Sequence, residues 1–147
     1  MTFQADPKKI QWRLHLKSPI HQVYAALATD AGRAGFWAES AEERDGVIHF
    51  VFPNGWHWAG RIVEAVPPIR FSVQYIGDTT VAFDLSDDGS GGTDLSLTDS
   101  GVSDEYRGEV VAGWISVLMA LKANVDHGVD LRNHDPERTW EQGYAEN

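Results

Sequence analysis

The sequence predicts an α+β fold: a curved antiparallel sheet of six to seven strands wrapped on one long C-terminal helix, with two short helices after the first strand. Three observations carry this expectation. Between Asp104 and His127 the bulky residues Val111, Trp114, Leu118, Leu121 and Val125 recur at steps of three and four, one face of a long helix. Before it lie short segments in which apolar and polar residues alternate, the mark of strands with one wet face. Between the first of these strands and the rest, two short helical segments intervene.

In chain order, Ile10, Trp12, Leu14 and Leu16 alternate with Gln11, Arg13, His15 and Lys17, a half-buried strand. Ser18-Pro19 offers an N-cap followed by Pro at the first helical position, and Val23, Tyr24, Leu27 and Ala28 give that helix its apolar face. Thr29-Asp30 begins a second short helix that runs to about Trp37. Val47 to Phe52 is a strand with Ile48, Phe50 and Phe52 on one side. Pro53-Asn54-Gly55 is a turn, and Trp56, Trp58, Gly60 and Ile62 form the inward side of the next strand. That strand breaks at Val66-Pro67-Pro68. Phe71, Val73 and Tyr75 follow, then Val81, Phe83 and Leu85 after a turn at Gly77-Asp78. Leu95 and Leu97 follow the loop from Asp87 to Gly92. The order divides the chain into a single domain over residues 1–128 and a tail over residues 129–147. In the tail, Asp135-Pro136-Glu137 predicts a short helix with Trp140 and Tyr144 on one face, docked on the domain or on a partner subunit.

A chain of 147 residues, 42% hydrophobic and 23% charged, suits one globular domain. The net charge of -10 repels phosphate backbones and anionic lipid surfaces, so neither nucleic acid nor membrane is an expected partner. The absence of cysteine excludes disulfides and thiolate chemistry. The opening MTFQADPKKI lacks an apolar stretch of signal-peptide length, no run suggests a bilayer span, and the cytoplasm is the expected location.

Several stretches carry a family resemblance. SPIHQVYAALATDAGRAGFW, GRIVEAVPPIRFSVQY, TDLSLTDSGV and GWISVLMALKANVDHG together cover most of Ile10 to Gly128. This organisation resembles the START-like, or helix-grip, superfamily, also called SRPBCC, and within it the family of heat-shock-protein-90 ATPase activator homologues. The resemblance implies an apolar molecule held between the long helix and the sheet. It also implies two other roles found among such proteins: cyclase- or hydrolase-type catalysis in the same space, and co-chaperone action where the domain is joined to a separate amino-terminal one. A chain of this length is not expected to hold that second domain, which puts the co-chaperone role in question.

The candidate ligand-binding residues are Trp37, Phe50, Phe52, Trp56, Trp58, Phe71, Tyr75, Phe83, Trp114 and Leu118, rigid apolar walls with a few polar handles. The same set would serve equally as an ordinary filled core. Six histidines lack metal-ligand spacing, and none is expected beside a carboxylate, so neither a metal nor a cofactor is expected. Catalysis needs an inward acid or base, and Glu64 is the one acidic residue whose parity matches Trp58 and Ile62; the favoured expectation is an exposed residue there, where the strand bends toward Val66-Pro67-Pro68. No nucleophile elbow, phosphate loop or dinucleotide fingerprint is present. The first expectation is therefore non-enzymatic binding of a small apolar molecule, with a homodimer through the tail as a further possibility.

Overall fold

The computed structural model describes residues 6–147; part of the opening segment read for a signal lies outside them. Seven strands form one antiparallel sheet: β1 (Lys9–Leu16), β2 (Ser40–Arg44), β3 (Val47–Val51), β4 (His57–Val66), β5 (Arg70–Tyr75), β6 (Thr79–Asp87) and β7 (Thr93–Ser100), in the order β1-β7-β6-β5-β4-β3-β2. Helices α1 (Ile20–Ala28) and α2 (Asp30–Ala34) follow β1, and α3 (Arg107–His127) closes over the sheet. This is the helix-grip architecture.

The register explains the core. Directly opposed residues share a face, so Ile10, Asp99, Val81, Val73 and Ile62 form one row across the sheet, and Trp12, Leu97, Phe83, Phe71 and Ala65 form the next. From above, α3 lays Trp114, Leu118 and Leu121 onto these rows, with Val111 and Val125 half-buried at the ends of the stripe. The helix stops at Gly128, whose φ of 65° is the left-handed cap that favours glycine. A 3-10 turn, Asp104–Tyr106, leads into α3. By length and composition alone, the stretch Asp104–His127 is long and apolar enough to cross a bilayer, a departure from the sequence reading; here its inward stripe packs on the sheet.

Other departures have local causes. β2 escaped notice because SAEER carries a single buried apolar side chain, Ala41, on an edge strand. α1 starts one residue late, with Pro19 rather than Ser18 at its cap; the Ser18 hydroxyl reaches the end of α3 instead, at Asp126 Oδ1 (2.7 Å) and Val125 O (3.1 Å). α2 ends at Ala34, capped at its start by the Thr29 hydroxyl, which accepts from Gly32 N. Its Arg33 is fully buried and donates to Ala41 O, Leu27 O and Asp30 Oδ1, so one side chain ties α1, α2 and β2 together.

Gly60 marks the tightest approach in the sheet. A Cβ there would lie 2.0 Å from Gln74 O, a backbone atom of β5 that cannot step aside. Gly60→Ala is expected to cost about 1–3 kcal/mol, read as a lower urea midpoint at unchanged slope. An unchanged midpoint would mean that the two strands separate freely at this point.

Candidate functional site

Trp37, just beyond α2, is the hub of the space between α3 and the sheet. It is 4% exposed, and its ring lies 5.0 Å from Phe50, 5.4 Å from Phe83, 5.6 Å from Tyr75 and 6.0 Å from Trp114, centroid to centroid. Its indole N–H donates to the Tyr75 hydroxyl at 3.0 Å. Burial pushes the Tyr75 phenol far above its ordinary range, so it is a neutral hydroxyl at any working pH. Phe52, Phe71 and Leu118 are also buried in this core. The middle of the space is thus filled by rings in mutual contact.

Two aromatic candidates lie elsewhere. Trp56 precedes β4 in the turn and is 43% exposed, stacked on Phe52 and on Trp58. Trp58 pairs with Phe50 and shares its face, but is only half-buried, with its indole N–H on Gln74 O at 3.4 Å. Trp58 keeps the parity of its strand, whereas Trp56 lies outside the strand, where alternation does not apply.

Glu64 does not face inward. The register of β4 against β5 shifts between Ile62 and Glu64, and the extra residue, Val63, is exposed. A bulge inverts the parity of everything after it. Glu64 therefore opposes Ser72 on the outer face and accepts from Arg70 Nε at 2.9 Å, while Arg70 also grips Asp84.

The inward acid is Asp99, which the sequence reading passed over. It is 1% exposed in a row otherwise made of Ile10, Val81, Val73 and Ile62. Its Oδ2 accepts the Trp114 indole N–H at 2.9 Å, and Oδ1 has no partner. Burial raises its pKa, opposed by the Trp114 hydrogen bond. The signal was available: Leu95, Leu97 and Asp99 share one parity.

Open space lies on the two flanks of α3. One groove of about 250 Å³ runs between α3 and the tail, with Trp37 and Phe36 as floor and Ile115, Met119 and Leu131 as apolar walls. Another of about 250 Å³ lies against β1, beside Trp12 and Leu14. The ridge between them carries Ile115 and Met119.

The tail forms one wall of the first groove and is fastened to the body of its own chain. Arg132 donates to Ala34 O and Ala38 O, Trp140 meets Phe52 edge-on, and Asn54 Nδ2 donates to Glu141. The helix expected from Asp135-Pro136-Glu137 is instead a single 3-10 turn, Trp140–Gln142, capped by Thr139 and ended by Gly143. Two histidines do meet carboxylates, against expectation. His15 Nε2 lies 2.8 Å from Asp88, and His134 sits between Asp130 (2.6 Å) and Glu39 (2.8 Å).

The Asp130 and Glu39 contacts raise the His134 pKa, against burial and nearby Arg132. A raised histidine contributes stability that is complete below about 6.5, its ordinary value, and is lost as pH rises through the folded value. Amide exchange over residues 129–147 is expected to quicken as pH rises through neutrality, beyond the intrinsic increase. His134→Gln should abolish that extra rise; the same extra rise in the variant would exclude His134 as its cause. No group of three or more His, Cys, Asp or Glu that could hold a metal occurs among the described residues.

No family model matches the chain, and no curated protein does. Solved structures do. The Aha1 dimer from Colwellia psychrerythraea superposes with a TM-score of 0.73 at 22% identity, over 82% of this chain and 97% of that one. A protein from Staphylococcus saprophyticus gives 0.72 at 19% identity, over 84% and 96%. CalU16 from Micromonospora echinospora gives 0.67 at 24% identity, over 82% and 77%. At these identities the likeness is one of fold: the chain has the START-like fold.

Proposed function

We propose that the protein binds a small apolar molecule, without chemistry, in the groove between α3 and the tail. The observation that carries this reading is the position of Trp37. It is at once the centre of the aromatic cluster and the floor of the open groove. A guest there would rest on a rigid indole and be walled by Ile115, Met119 and Leu131. A volume of about 250 Å³ suits a small ring system better than a long acyl chain.

The test is tryptophan fluorescence and native mass spectrometry with a panel of small aromatic and lipid-like molecules. One-to-one binding is expected, and Leu131→Asp should weaken it by about tenfold or more, the loss of one aliphatic contact. A panel with no binder, or binding indifferent to Leu131→Asp, would overturn the assignment.

A second reading, cyclase- or hydrolase-type catalysis between α3 and the sheet, is favoured by one observation: Asp99, beneath Trp114, is a buried carboxyl with a raised pKa and an unpartnered oxygen. It predicts that Asp99→Asn abolishes turnover of any substrate found, while Glu64→Gln leaves it intact.

A further inference from the structure

The outer face of α3 has an unusual composition for a surface helix. From Val110 to Leu121 no residue is charged, although Ala112, Gly113, Ile115 and Met119 are all exposed. Ile115 and Met119 are each 43% exposed. In a chain of net charge -10, twelve uncharged residues on a partly exposed helix call for a cover. Charges resume only at the two ends of this stretch, with opposite signs: Glu109 at the start and Lys122 at the finish.

We propose that this face pairs with the same face of a second copy, two α3 helices running antiparallel about a twofold axis that passes between positions 115 and 116. The pattern is self-complementary in both size and charge. Such an axis exchanges 112 with 119 and 109 with 122. The small Ala112 of each copy then receives the partner's Met119, and each Glu109 comes within side-chain reach of the partner's Lys122. Ile115 lies beside its own copy. Residues 112 and 119 are seven apart, the repeat that stays in line at a crossing angle of about 20°. Gly108, Ala112 and Gly113 permit close approach. Lys122 is only partly committed within its own chain, to His15 O (2.5 Å) and Asp126 Oδ2 (3.1 Å), and an ammonium has three protons to donate. A twofold interface of this kind is closed, so it stops at two copies. An anionic lipid surface fits less well, since the protein as a whole is strongly acidic.

The chain has no cysteine, which makes the test clean. Light scattering on the purified protein should give twice the chain mass of 16.3 kDa. Met119→Glu, at an exposed position, should give the monomer with unchanged circular dichroism. Glu109→Lys should weaken the dimer at low salt and less at high salt. Ile115→Cys should form a disulfide-linked dimer on mild oxidation, because only a residue near the axis meets its own copy. A wild-type monomer at about 100 μM, which excludes a dimer with a Kd in the low micromolar range, would overturn the proposal. So would linkage through Trp140→Cys but not Ile115→Cys, which would move the interface to the tail. Binding of the monomer to phosphatidylcholine vesicles through α3 would assign the face to lipid and likewise overturn it.

Discussion

Trp37→Ala is expected to lower the stability of the fold by about 3–5 kcal/mol, the range for deleting a large buried aromatic. That is a large share of the roughly 5–15 kcal/mol that holds a domain together. The size of the effect follows from the geometry. Five aromatic rings lie within 6.0 Å of this indole, so its removal opens a void that none of them can fill without breaking its other contacts. The Tyr75 hydroxyl also loses its donor in a buried setting. Trp37→Phe keeps a ring and removes the N–H, and should cost about 1–3 kcal/mol. Trp56→Ala should cost about 1 kcal/mol or less, because that ring is largely solvated and its losses are two stacking contacts. Urea unfolding of the three variants gives the ranking directly. Equal losses at Trp37 and Trp56 would mean that the cluster has no hub.

The same contrast shows what the sequence could and could not disclose. Alternation in β1, β3, β5, β6 and β7 and the stripe of α3 are local signals, and they located the sheet, the covering helix and most of the aromatic core. Phe50, Phe71, Tyr75, Phe83 and Trp114 lie together because parity within an unbroken strand, or the step of an unbroken helix, is preserved by the backbone. Parity fails wherever the backbone is irregular. The bulge at Val63 turned Glu64 outward, and the turn before β4 left Trp56 in solvent. Asp99 escaped notice for another reason: an acid continuing the run Leu95, Leu97 looks like the first wet residue after a strand. Its burial depends on Trp114, fifteen residues away, supplying an N–H. The tail illustrates a third limit. Asp135 and Pro136 are good helix starters, yet Gly143 and the contacts of Arg132, His134 and Trp140 with the body fix an irregular path. The groove along α3 is likewise a product of where the tail docks, which no local pattern records.

Asp126→Ala should cost about 2–3 kcal/mol near neutral pH, because it removes the shared acceptor of a part-buried, charge-assisted junction. Asp126 lies near the end of α3 and its side chain is 1% exposed. It accepts from Lys17 N (3.0 Å), Ser18 N (3.1 Å), Ser18 Oγ (2.7 Å) and Lys122 Nζ (3.1 Å), so one carboxylate fastens the covering helix to the junction of β1 and α1. Burial alone would raise its pKa; the donors outweigh burial and hold it at about 2. The sign of the pH dependence follows. A depressed carboxyl contributes stability that is complete above its unfolded value near 3.8 and is lost as pH falls toward 2. Asp99 has the opposite sense: its raised pKa means that stability is greatest below 3.8 and declines as pH rises through the folded value. The two carboxyls, one near the end of α3 and one on β7 beneath Trp114, therefore tilt the stability curve in opposite directions. Asp99→Asn should make stability at neutral pH rise relative to stability at acid pH, whereas Asp126→Ala should narrow its gap to the wild type as the solution is acidified from pH 5 toward pH 2. Chemical denaturation at a series of pH values separates them. A gap for Asp126→Ala that stays constant in acid would show that its hydrogen bonds do not depend on the charge.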